Sequence, residues 1–105
     1  METDELADVR SIFVEARTYG DNVGSSYFSA RVWVNGKWVL TLPFQYGSES
    51  QSEYEAVKQL VKAGLLPSTF EKRPLWHVRD DLGVDTYSVA IPSKKSQMFK
   101  VSEND

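Results

Sequence analysis

The sequence predicts a single α+β domain. It should hold an antiparallel β-meander of three strands, one long and one short helix together on one face, and a fourth, C-terminal strand, in the order β-β-β-α-α-β. Three observations carry this. The stretch Tyr27–Gly47 contains two apolar runs joined by Asn35-Gly36, the strongest short-range hairpin signal, because a type I′ turn needs positive φ at both central residues. After Gly47 the apolar spacing changes from the period of a strand to that of a helix. Alternating runs at Val9–Tyr19 and Asp85–Ile91 add a strand before the hairpin and one after the helices.

The first strand carries Ile12, Val14 and Ala16 on its core side and ends at GDNVGSS, whose glycines and Asp-Asn pair suit a longer hairpin loop. Strand two is Ser26–Val34 and strand three Lys37–Phe44, where Pro43, lacking an amide donor, marks an edge or a fraying end. Ser50 and Glu53 have the spacing of a capping box. They open a helix over Gln51–Ala63, with Tyr54, Val57, Leu60 and Val61 as its apolar stripe and Gly64 as its C-terminal cap. Pro74 at a first-turn position, then Leu75, Val78 and Leu82, and Gly83 as terminator give the shorter helix. The fourth strand stops at Pro92. Residues 1–8, with four carboxylates, and residues 96–105, mostly polar with Met98 and Phe99 as their one sizeable apolar pair, read as flexible tails of a single domain spanning 1–105.

The Asn35-Gly36 turn sets a register in which Trp33 faces Trp38, Val32 faces Val39 and Arg31 faces Leu40. Alternation then puts Phe28, Ala30, Val32, Val34, Val39 and Thr41 on one face of the ribbon. The other face receives Tyr27, Ser29, Arg31, Trp33, Trp38, Leu40, Leu42 and Phe44, with the two indoles meeting across the strands at a close-approach pair. Neither face is polar, whereas a hairpin with one solvated side shows polar residues there. The smaller residues Ala30, Val32 and Val39 suit a covering helix. Tyr27, Arg31, Trp33, Trp38, Leu40 and Phe44 are then the candidate partner-binding surface, with only the tails to shield them. The competing account is that both faces are core, since aromatic stripes are more often packing than site.

Composition excludes several chemistries. The chain has 105 residues and no cysteine, which rules out disulfides, a thiol nucleophile and cysteine zinc sites. A net charge of −3 argues mildly against coating DNA and falls short of an acidic mimic of nucleic acid. No apolar run reaches the length of a membrane span, and METDELADVR is acidic where a secretory leader is basic and then apolar, so the expectation is a cytoplasmic protein without membrane contact. The glycines of GDNVG and YGSES lack the strand, lysine and helix arrangement of a phosphate loop. The single histidine, His77, stands one turn before Asp81. Sharing a helix face, the two are candidates for a metal site or a general-base pair, but one histidine among scattered carboxylates is more often an ion-paired helix end. No cofactor is expected.

Basic residues among the aromatics, Arg31 on the tryptophan face and Lys37 at the hairpin tip, are a loose match to sheet faces that stack single-stranded nucleic acid. With the runs VWVNGKWV, FQYG and AGLLP, the chain resembles small accessory proteins encoded by bacteriophages, and the resemblance covers about residues 9–95. The resemblance implies a product acting on a host component, such as an inhibitor of host defence of the anti-CRISPR kind or of host transcription. It carries over no functional residue. The reading is therefore a small non-enzymatic module that binds another protein, of the host or a second copy of itself, through the aromatic sheet face or an edge strand. The alternative is a single-stranded nucleic-acid binder using the same face, and a metal-dependent enzyme around His77 and Asp81 comes third.

Overall fold

The chain folds as the expected α+β domain, with β1 (Ser11–Gly20), β2 (Ser26–Val34) and β3 (Lys37–Tyr46), then α1 (Glu49–Lys62), α2 (Leu75–Leu82), β4 (Asp85–Pro92) and a terminal helical turn, α3 (Lys95–Met98). A computed structural model describes residues 9–21 and 23–98. The tail expected at residues 1–8 and the part of the C-terminal tail at 99–105 lie outside the described residues.

Strands one to three form the antiparallel meander, and the sheet order is β3-β2-β1-β4. The fourth strand does not extend the antiparallel pattern. It adds to β1 in parallel, so the sheet is mixed, because the path from the end of β3 through the helices returns the chain to the far edge in the direction of β1. One helical layer covers one face. Ile12, Val14, Ala16, Phe28, Ala30, Val32 and Leu42 meet Ala56, Val57 and Leu60 of α1 and Leu75 and Val78 of α2 in one buried cluster, joined by Phe70 from a single 3₁₀ turn, Ser68–Phe70.

The turn at Asn35-Gly36 is as expected, with φ of 53° and 82°. Past it the register departs from a simple ribbon. Trp33 pairs with Trp38, but a bulge lies between Val32 and Trp33, so Val32 faces Leu40 rather than Val39, and Arg31 faces Thr41. A bulge puts an extra residue on one strand and inverts the faces beyond it. Leu40 and Leu42 therefore turn to the helix-covered core and Thr41 to the open side, the reverse of the expected assignment.

Helix α1 begins at Glu49 without the expected capping box. Ser48 is its N-cap and makes no side-chain bond to the helix amides. Glu53 instead accepts from the Ser88 hydroxyl on β4 at 2.6 Å. The buried stripe is Ser52, Ala56, Val57 and Leu60, and Tyr54 is exposed, since the small residues are the ones that let the helix approach the sheet. At the C-terminus Leu65 N–H bonds Leu60 C=O and Gly64 N–H bonds Val61 C=O, the paired closure that needs the left-handed residue found at Gly64, φ 81°. Gly83, φ 70°, ends α2 in the same conformation.

Candidate functional site

The sheet face away from the helices is built by the odd-numbered residues of β1, β2 and β4. Strand register aligns them in rows: Trp38, Trp33, Phe13 and Tyr87 at one end, then Thr41, Arg31, Glu15 and Val89, then Ser29, Arg17 and Ile91, and Tyr46, Tyr27 and Tyr19 at the other end. Five of the six expected binding residues share this face. Leu40 is the exception, turned into the core by the bulge.

These residues are less available than an open face requires. The Trp33 indole donates to Glu15 Oε1 at 3.1 Å, and the Trp38 indole donates to the Leu40 carbonyl at 3.0 Å and to Thr41 Oγ1 at 3.1 Å. The two rings meet at 6.4 Å between centroids, tilted by 31°. The Arg31 guanidinium lies 4.6 Å above the Trp38 ring, and Arg31 is only 9 % exposed. At the other end Tyr27 stacks on Phe44 at 5.1 Å and is flanked by Tyr46 and Tyr19. The two indoles, Tyr27 and Phe44 thus pack within the face half-buried, with both indole N–H groups bonded, while Tyr46 on the outer strand is 74 % exposed.

Part of the cover is the segment expected to be a tail. Residues 96–98 are not free: the Ser29 hydroxyl donates to the Met98 carbonyl at 2.8 Å, Arg17 donates to the Gln97 carbonyl at 2.6 Å, and Met98 is fully buried outside the main core cluster. The sequence signal for this was weak. Met98 is an isolated apolar residue in a polar run, and the partner it needs is a serine 69 positions away.

Three exposed apolar side chains follow one another in alternation on β4. No residue of this strand is buried. Tyr87, Val89 and Ile91 are 58 %, 43 % and 46 % exposed on the open face, and β4 is an edge strand with no neighbour on its far side among the described residues. The sequence alternation identified the strand but not its edge position, which depends on the parallel crossover.

The His77 and Asp81 pair is brought together, but around a side chain of the protein. Arg73 Nε donates to His77 Nδ1 at 2.9 Å, its terminal nitrogen bonds the Asp81 carboxylate, and the same guanidinium lies 4.4 Å above the Phe70 ring. A cation already fills the place between the two candidate ligands. No group of three or more His, Cys, Asp or Glu side chains among the described residues is arranged to hold a metal. An open cleft of about 530 Å³ lies at the Tyr19 and Tyr27 end of the sheet, with Glu49 and Lys94 as the charged residues of its lining. No helix among the described residues is long and apolar enough to cross a membrane.

Comparison with known families, with curated proteins and with solved structures returns no match for this chain.

Proposed function

We propose that the chain is a small non-enzymatic module that binds another protein along the β4 edge and the outer-face residues beside it. One observation carries this reading: β4 is an edge strand with no neighbour on its far side among the described residues, no residue of it is buried, and it displays Tyr87, Val89 and Ile91 in alternation. An exposed edge offers main-chain donors and acceptors to an added strand, and alternate apolar side chains give that strand something to pack on. The setting implied by the resemblance to phage accessory proteins is a host component, gripped and modulated at this edge.

The same geometry weighs against single-stranded nucleic acid as the ligand. Base stacking needs free ring faces and cations directed at phosphates. Here Arg31 covers Trp38, and Phe44 covers Tyr27.

The test uses a displayed library of random linear peptides, selected on the parent protein and then measured against Val89→Lys. Val89 is exposed, so the substitution leaves the core untouched, but it puts a charge beside any added strand. The expected result is extended, alternating apolar peptides that bind the parent, slow amide exchange along β4 and bind the variant roughly tenfold more weakly, a difference of about 1.4 kcal/mol. Peptides indifferent to Val89→Lys, or protecting amides elsewhere, would overturn the reading. So would tight, salt-sensitive binding of an oligothymidylate at the tryptophan end.

A further inference from the structure

We infer that the occupant of the β4 edge is a second copy of this chain, paired antiparallel about a two-fold axis through Ser88, so that two four-stranded sheets join into one continuous sheet. This inference rests on the protein-binding reading of β4 and names the partner.

The direction of the main chain sets what the edge presents. Asp85 N–H donates to the Arg10 carbonyl, and Ser93 N–H donates to the Thr18 carbonyl, so the odd-numbered residues of β4 face β1, through a register without interruption from Asp85 to Pro92. Successive peptide groups alternate sides along a strand. The N–H and C=O groups of Thr86, Ser88 and Ala90 therefore point to the free edge. Ser88 lies on the helix side of the sheet, where its hydroxyl donates to Glu53 of α1, and it remains exposed.

The two edges of the sheet are built differently. On β3 the strand is bulged at two places and interrupted by Pro43, and the carbonyls of Leu40 and Pro43 accept from the strand's own Trp38 indole and Gln45 amide. Bulges, prolines and occupied carbonyls are the usual ways in which an edge is closed to pairing. Between Asp85 and Ile91, β4 has no bulge, no proline and no lysine.

The strand is also complementary to itself. With Ser88 on the axis, Ser88 meets Ser88 of the second copy, and Thr86 and Ala90 meet each other in both directions. Every outward N–H of the strand then faces an outward C=O, and Pro92, with no amide to give, stays outside the ladder. On the open face Tyr87 falls opposite Val89 of the second copy, an aromatic and β-branched pair of the kind that stabilises neighbouring strands. Two identical strands related by a two-fold form an isologous, closed contact, so association stops at the dimer. The closed edge at β3 keeps the joined sheet from growing further.

Light scattering and sedimentation over a concentration series should show the full chain passing from 11.9 kDa to twice that mass. Val89→Lys should raise the dimer dissociation constant roughly tenfold or more while melting like the parent monomer. Because the chain has no cysteine, Ser88→Cys is a direct probe of the axis. Facing residues of a hydrogen-bonded antiparallel pair lie about 5.5 Å apart between Cα atoms, within disulfide range. Mild oxidation should link two Ser88→Cys chains far faster than two Val23→Cys chains, whose residue is 85 % exposed on a distant loop. Ala90→Pro, which removes an outward amide, should also give a monomer. A dimer that survives Val89→Lys, or equal cross-linking of the two cysteine variants, overturns the proposal. A parent that stays monomeric while selected peptides still bind β4 also overturns it, and leaves the protein-binding reading standing with a different partner. Failure of both the dimer and the peptides removes the two together.

Discussion

The Ser29 hydroxyl donates to the Met98 carbonyl at 2.8 Å, a bond between the middle of the sheet and the C-terminal helical turn, with both residues fully buried. A helical end leaves carbonyls unpaired, and a buried carbonyl without a donor is costly. Ser29 supplies that donor from a strand position where a polar residue would otherwise be out of place. Ser29→Ala should cost about 1–2 kcal/mol in urea unfolding, and peroxide should oxidise Met98 measurably faster in the variant because the turn lifts more often. Unchanged stability and unchanged oxidation would show that the turn is held by something else.

Gly47 links β3 to α1 at φ 147°, and a Cβ built there would come within 2.8 Å of the Phe28 ring and 3.2 Å of Gln51 Cβ. Phe28 is among the largest fully buried side chains, so the ring has little room to yield. Gly47→Ala therefore combines backbone strain with overpacking, and about 2–4 kcal/mol of destabilisation is expected in thermal or urea melts. A melting curve matching the parent would mean that the entry to α1 relaxes freely.

At the hairpin tip two effects are separable. Gly36 has open space around its missing Cβ, so Gly36→Val acts through positive φ alone and should cost about 1–3 kcal/mol. Asn35 does more than turn the chain: its Oδ1 accepts from Arg10 N–H at 2.7 Å and Ser11 N–H at 3.1 Å, tying the tip to the start of β1. Asn35→Gly keeps the turn and removes those bonds, and should cost about 1–2 kcal/mol, with faster amide exchange at Arg10 and Ser11. Slow exchange there in the variant would contradict the assignment.

Around α2 the arginine outweighs the histidine. His77→Ala leaves the Arg73 contacts to Asp81 and Phe70 in place and should shift stability by no more than about 1 kcal/mol. Arg73→Ala removes the guanidinium from His77, Asp81 and the Phe70 ring together, and should be the more damaging of the two in the same melts. Stoichiometric zinc binding lost in His77→Ala would contradict this ordering and return the pair to a metal site.

How much of this was legible depends on distance along the chain. The Asn35-Gly36 turn, the caps at Gly64 and Gly83 and the order of elements are local matters, set by residues within a few positions of each other. The face of Leu40 was not, because a bulge between Val32 and Trp33 leaves no composition mark, and a single extra residue inverts everything beyond it. The capping box failed for a local reason: the helix starts at Glu49 with Ser48 as its N-cap, so Ser50 already lies in the first turn and Glu53 lies beyond the position from which it could reach back, leaving its carboxylate to Ser88, 35 residues away. Of the candidate surface, the aromatic residues themselves could be named from the sequence. The cover of Trp38 by Arg31 belongs to the bulged β2–β3 register, while the docking of α3 on Ser29 and Arg17 and the edge position of β4 follow from a parallel crossover, and strand alternation encodes neither.

The tryptophan pair and the β4 edge should separate in a paired measurement. Trp33 is half-buried, bonded to Glu15 and packed on Trp38, so Trp33→Ala should lower stability by about 1–3 kcal/mol through lost burial while leaving the chain folded. Val89 is exposed and bears on nothing within the monomer core, so Val89→Lys should lower association and hardly move stability. Acrylamide quenching in a Trp76→Phe background, which removes the exposed indole, should find Trp33 and Trp38 only partly accessible. The expected pattern is therefore a double dissociation, stability following the indole and association following the edge. If Trp33→Ala abolished partner binding with stability intact, and Val89→Lys left binding untouched, the docking surface would be the aromatic patch, and β4 would be an ordinary solvated edge.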